Sequence, residues 1–98
     1  MTVEITARHL DISDSLNEFA RAKADKLGGE FPAIESIRVV MDEDGPFFSA
    51  VVTVRGGRNM NADGSHRDAD IHVAITEAFE RVATQLRRNM QKNNDTRA

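Results

Sequence analysis

Val3, Ile5 and Ala7 alternate with Glu4, Thr6 and Arg8 near the start of the chain, and a period of two marks a half-buried strand. The period then lengthens. Leu16, Phe19, Ala20 and Leu27 recur at helical spacing, with Lys23 standing in the same stripe. Ser13 offers an N-cap oxygen, and Asp14 sets a negative charge in the first turn, against the positive end of the helix dipole. Gly28-Gly29 predicts the end of this helix, because glycine takes the left-handed capping conformation without steric cost. Pro32 blocks continuation.

A second strand follows, with Ile37, Val39 and Met41 alternating against Arg38 and Val40. Asp42-Glu43-Asp44-Gly45-Pro46 is a turn by composition. A third strand runs from Phe47 to Arg55, with Phe48, Ala50, Val52 and Val54 on one face and Ser49, Val51 and Thr53 on the other. Gly56-Gly57 signals a hairpin. Arg58 to Asp63, with Met60 and Ala62 on its apolar side, reads as a weaker strand whose asparagines suit a sheet edge. Beyond Gly64-Ser65 the helical period returns. Ile71, Ala74, Ile75, Ala78, Phe79, Val82, Leu86 and Met90 form one stripe over about five turns. Asp68 and Asp70 lie near its start and Arg87, Arg88 and Lys92 near its end, as the dipole favours.

The predicted order is strand, helix, three strands, helix. A helix joining two parallel strands needs a right-handed crossover and so covers one sheet face; the second apolar helix must bury its stripe on the same sheet. The expected fold class is α+β, a two-layer sandwich of four strands under two helices, with Thr6, Arg8, Arg38, Val51 and Thr53 on the open face. Residues 1–92 are expected to form a single domain. Residues 93–98, without an apolar anchor, are expected to fray.

Composition narrows the class. The 98 residues, 40% apolar and 30% charged, suit one small globular domain. The absence of cysteine excludes a disulfide framework, a thiolate zinc site and a cysteine nucleophile. The first residues lack the basic and apolar regions of a signal peptide, and no apolar run is long enough to span a membrane. A cytoplasmic location is expected. Thirteen Lys and Arg against sixteen Asp and Glu give a net charge of −3, which argues against a general nucleic-acid coat while leaving room for a local basic face.

Candidate chemistry is sparse. His66, Asp68, Asp70 and His72 stand at every second position, and an extended segment would bring them to one side as metal ligands. The helical period begins at about Ile71, however, so the expected reading is a helix entry with two acidic dipole partners and two solvent-facing histidines. No metal is expected. Asp42-Glu43-Asp44-Gly45 resembles the opening of a calcium loop, but its twelfth position falls on Thr53, where that loop requires glutamate. No nucleophile elbow, phosphate loop or metalloprotease helix is present. The chain is expected not to be an enzyme and to need no cofactor.

The basic residues are more informative. Arg21, Lys23 and Lys26 fall on the first helix; Arg81, Arg88 and Lys92, seven and four residues apart, share a face of the second. Residues 35–70 hold seven acids against four bases, while 71–98 hold three against five. Such segregation would let an acidic protein present a positive face to phosphates. A solvated helix surface with pairs such as Glu77–Arg81 accounts for the same charges.

Ile5-Thr6-Ala7-Arg8-His9-Leu10-Asp11-Ile12-Ser13-Asp14-Ser15-Leu16, continuing to Ala22-Lys23-Ala24-Asp25-Lys26-Leu27, resembles the opening strand and helix of the ribosome hibernation-promoting factor and ribosome-associated inhibitor family in its short form. Asp70-Ile71-His72-Val73-Ala74-Ile75 and Gln85-Leu86-Arg87-Arg88 resemble its final helix. The middle strands are similar in pattern rather than in letters. The resemblance implies a β-α-β-β-β-α fold related to double-stranded RNA-binding domains. It also implies binding in the channel between head and body of the small ribosomal subunit, where such proteins overlap the messenger path and transfer-RNA sites and stop translation by occlusion. It places RNA contacts at Lys23 and Lys26 on the first helix, at Arg81, Arg88 and Lys92 on the second, and at Arg8 after the first strand. The partner implied is the small subunit and its ribosomal RNA, with no membrane and no small-molecule substrate.

Three positions depart from the family pattern. His72 replaces a common tyrosine, Thr84 an arginine and Met90 a lysine. Fewer phosphate contacts weaken binding and lower its salt sensitivity. The C-terminal dimerising domain of long family members is not expected after the last helix. Thr84, Met90 and the net charge suit a second reading, a protein-interaction module of the same fold with weakened RNA binding.

Overall fold

The computed structural model describes the backbone of residues 1–95 and the side chains of residues 1–91. Its elements are β1 (Thr2–Arg8), α1 (Asp14–Glu30), β2 (Ile34–Asp44), β3 (Phe47–Gly56), β4 (Ala62–Asp68) and α2 (Ile71–Asp95). The sheet order is β1-β2-β3-β4. β1 runs parallel to β2, with Thr2 opposite Ser36 and Arg8 opposite Asp42. The other two pairings are antiparallel. The fold is thus the expected α+β arrangement, a β-α-β-β-β-α order with both helices on one sheet face.

One core holds the layers together. Alternate strand residues point to the helices: Ile37, Val39 and Met41 from β2, Ala50, Val52 and Val54 from β3, and Ala62 from β4 are buried. Leu16, Ala20, Ala24 and Leu27 meet them from α1; Ala74, Ile75, Ala78, Phe79, Val82, Ala83 and Leu86 meet them from α2. Ser13 caps α1 as expected, its hydroxyl accepting from the Leu16 N–H at 3.1 Å. The open face carries the opposite alternation. Thr6, Arg8, Arg38 and Val51 are exposed and Thr53 half-buried, and cross-strand pairs neutralise its ends: Arg38 with Glu4 at 3.2 Å, Arg55 with Asp63 at 3.3 Å and Arg67 with Asp44 at 3.3 Å.

Several boundaries differ from the sequence reading. Helix α1 passes through Gly28-Gly29 and ends on Phe31, whose N–H donates to the Leu27 carbonyl at 2.9 Å. Phe31 is buried, so the chain gains by keeping helical geometry until that ring reaches the core. Asp42, Glu43 and Asp44 belong to β2, and the turn shrinks to Gly45-Pro46, with Gly45 at φ +61. Phe19 and Met90, expected in the apolar stripes, are half-buried and exposed respectively.

The largest difference is β4. It occupies residues 62–68, not 58–63, and Gly57 to Asn61 form the connection. That loop is anchored by Met60, only 4% exposed, and by the Met60 N–H bonding to the Gly57 carbonyl. The Asn89 side chain on α2 donates to the carbonyls of Asn59 and Asn61 at 3.3 and 3.5 Å. Gly64, a boundary in the sequence reading, lies mid-strand because α2 crosses directly over it. A Cβ there would stand 2.5 Å from the Ala78 carbonyl oxygen and 2.9 Å from Val82 Cγ2.

Helix α2 runs to Asp95. Side chains from Lys92 onward and residues 96–98 fall outside the described residues; of the stretch expected to fray from Asn93, the backbone as far as Asp95 continues α2. Among the described residues, no helix is long and apolar enough to cross a membrane.

Three substitutions test this packing by urea denaturation. Gly64→Ala is expected to destabilise by about 1–3 kcal/mol, the cost of overpacking against backbone that cannot withdraw. Gly29→Ala, where an added Cβ meets nothing within 4 Å, is expected to stabilise by about 0.5–1 kcal/mol through helix propensity. Phe79→Ala is expected to cost about 3–5 kcal/mol as a core truncation.

Candidate nucleic-acid interface

The sequence places cations on both helices, and their position around each helix decides what they can touch together. Positions 23, 26, 27 and 30 share the flank of α1 that faces α2. Positions 79, 80, 83 and 87 share the answering flank of α2. Between them lies a shallow groove lined by Lys23, Lys26, Leu27, Glu30, Phe79, Glu80, Ala83 and Arg87. Its floor is apolar. Lys23 is half-buried, with its ammonium 5.4 Å from the centre of the Phe19 ring, a cation–π placement. The same ring meets His72 in a T-shaped arrangement at a centroid distance of 4.8 Å.

Arg81 and Arg88 stand on a different flank, beside Glu77, Glu80, Thr84 and Gln85. The structure therefore brings Lys23 with Lys26, and Arg81 with Arg88, as two patches on the helical layer rather than one. Arg81 turns toward β4, where its guanidinium lies 3.5 Å from His66 Nδ1. Arg8 lies on the open sheet face, opposite Asp42 in the register, so the sheet separates it from the helical cations. Lys92 lies outside the described side chains.

Two residues of the second helix gain roles that the sequence reading missed. Arg87 joins the Lys23–Lys26 groove and is forked onto Glu30: Nε donates to Oε2 at 3.0 Å, and the Nη2 group to Oε1 at 3.2 Å. Its spacing of four from Ala83 and eight from Phe79 was the available signal. Gln85 has a structural role. Its Nε2 donates to the Asp63 carbonyl at 2.6 Å, and its Oε1 accepts from the Asp63 N–H at 3.3 Å. These are outward-facing backbone groups of the sheet's edge strand, so the side chain blocks strand addition there.

The candidate metal constellation is dispersed. His66 and Asp68 belong to β4, whereas Asp70 accepts from the His72 N–H at 2.8 Å just before α2. Asp68 accepts from the Asp70 N–H at 3.0 Å. Both carboxylates therefore organise the helix entry, and among the described residues no group of three or more His, Asp or Glu is placed to hold a metal ion.

The two helices thus present local basic clusters on one layer of a small α+β fold, and comparisons with known proteins show the family that shares it. The chain belongs to the family described as sigma 54 modulation protein / S30EA ribosomal protein, whose pattern matches residues 3–94. Comparison with curated proteins gives no match. Among solved structures, the chain is similar to a ribosomal subunit interface protein from Coxiella burnetii, with a TM-score of 0.83 at 17% identity, over 93% of this chain and 99% of that one. It is also similar to the N-terminal domain of Thermus thermophilus Protein Y, with a TM-score of 0.79 at 26% identity, over 90% and 98% of the two chains. The first likeness carries the fold alone. The family's description names a ribosomal protein and the Coxiella relative is a ribosomal subunit interface protein, in keeping with the resemblance to the hibernation-factor family.

At the other end of the sheet, the backbone of His9 turns left-handed at φ +63, a conformation histidine tolerates better than most residues. Its Nδ1 lies 2.9 Å from Asp42 Oδ1. That hydrogen bond, aided by the charges of His9 and Arg8, holds the Asp42 carboxyl below its ordinary value of 3.8. A depressed folded-state value means that the ionised form favours the fold. The contribution is complete above the unfolded value and is lost as pH falls through the lower folded one. His9→Ala is expected to move the Asp42 titration, followed by carboxyl-carbon NMR, upward toward 3.8; an unmoved midpoint would contradict the assignment.

Proposed function

We propose that this protein binds the small ribosomal subunit in the messenger and transfer-RNA channel between head and body, and silences translation by occlusion. Family membership over residues 3–94 is the observation that carries the reading. The charge geometry supports it. Lys23, Lys26 and Arg87 line one groove of the helical layer, and Arg81 and Arg88 stand on its neighbouring flank. Each such cation can neutralise a phosphate and release its counterion. Arg8 faces the other way, and its contact would be with a separate RNA segment or with ribosomal protein. A cytoplasmic site of action in stressed or non-growing cells goes with this reading.

The second reading, a protein-interaction module with weakened RNA affinity, has its own support. Thr84 is exposed and Met90 is 47% exposed, so two positions basic in the family add no charge here. Glu77 and Glu80 also stand beside Arg81 and Arg88.

Co-sedimentation with bacterial small subunits at rising salt separates the two. Saturable one-to-one binding that weakens steeply with salt is expected for an RNA contact. Replacing Arg81, Arg88 and Lys92 together by Ala is expected to abolish it while leaving the thermal melt in place. It also flattens the logarithmic salt dependence of any residual binding by about two to three units, a little under one per lost phosphate contact. Absence of binding at low salt would favour the protein partner.

A further inference from the structure

Glu30 is in the wrong place for its own helix. It lies in the last turn of α1, where the negative end of the dipole disfavours an acid, and no basic residue shares that turn. What holds it is Arg87, across the groove on α2, whose Nη2 approaches Oε2 at 2.9 Å while Nε and Nη2 also form the fork described above. A phosphodiester presents the same target as that carboxylate: two free oxygens sharing one negative charge, the geometry that a guanidinium fork binds. Lys23 and Lys26 line the same groove, Phe79 forms part of its floor, and Glu80 supplies the remaining acid.

We propose that the α1–α2 groove is a phosphodiester subsite for RNA, in which the Glu30 carboxylate is a built-in competitor for Arg87. The inference rests on reading the helical layer as an RNA-binding surface and adds to it a site and a means of tempering affinity. An incoming phosphate takes over the Arg87 fork and frees Glu30 to solvent. The exchange is feasible because the pair is open to water, with Arg87 53% and Glu30 41% exposed, and such pairs hold weakly. RNA binding then unfastens the one ion pair that ties α1 to α2 among the described residues.

The test is a titration of the labelled full chain with a short oligouridylate, following the Arg87 Nε–H resonance by NMR. The wild-type resonance is expected to shift on addition of RNA, and Glu30→Gln is expected to saturate at about fivefold lower RNA concentration. The same substitution in an Arg87→Ala background, where saturation is followed by the backbone amides of Lys23, Lys26 and Ala83 instead, is expected to give no gain. Glu43→Gln, an equal charge change on β2, controls for net charge. An unresponsive Arg87, equal saturation of wild type and Glu30→Gln, or a gain that survives without Arg87 or is matched by Glu43→Gln would overturn the proposal. Subunit binding measured in parallel keeps the two readings apart. An Arg87 response without ribosome binding removes the ribosomal partner and keeps the subsite; ribosome binding that Glu30→Gln leaves unaltered removes the subsite and keeps the partner.

Discussion

Helix α2 approaches the sheet so closely that one added carbon at position 64 would collide with the helix backbone. Gly64 makes that approach possible, and Ala50, Ala62, Ala74 and Ala78 sustain it with small buried side chains. Proximity then lets the polar groups of the helix do a second job. Gln85 reaches the backbone of Asp63, and Asn89 reaches the carbonyls of Asn59 and Asn61. A strand whose side chains offer little burial is thereby fixed in register by the helix above it. Without Gly64 the helix would stand off, those amides would fall short, and the edge of β4 would be left open to pairing with another chain.

The same packing decides which charges act together. Because α2 turns one flank toward α1 and another toward β4, its arginines divide. Arg87 enters the interhelical groove, and Arg81 looks toward His66. A stripe of cations at helical spacing is therefore a weaker statement than it looks in one dimension, since seven residues along a helix keep a face while six change it. Neighbouring acids matter equally. Glu30 and Glu80 lie among the groove cations and Glu77 beside Arg81, so the local potential depends on which carboxylates swing aside.

Much of this fold was legible because burial writes a period into the chain. Ile37, Val39 and Met41, or Ala74, Ile75, Ala78 and Phe79, declare their faces without help. Ser13 and Asp70 announce helix entries through cap chemistry. What escaped had no such local signature. Gly28-Gly29 looked like a terminator, but the buried Phe31 ring beyond it carries the helix onward. Residues 62–68 showed no apolar alternation, since their inward positions are Ala62, Gly64 and His66 and their burial is supplied by α2. The site was legible as a list of cations but not as a surface. Placing Arg8 across the sheet from Lys23, and pairing Arg87 with Glu30, required knowing how elements far apart in the chain lie side by side.

The cross-strand ion pairs of the open face have an electrical consequence for the whole molecule. Arg38, Arg55 and Arg67 are each matched by an acid on a neighbouring strand, so the sheet presents no uncompensated arginine along most of its surface. Asp11, Glu35, Glu43, Asp68 and Asp70 add negative charge in the connections and strand ends around it. The two helices, by contrast, hold acids and bases in equal number. The molecule consequently carries a dipole across its layers, negative on the sheet side. A polyanion attracts or repels it according to which side it turns, so rotation, and not only distance, sets the energy of an encounter.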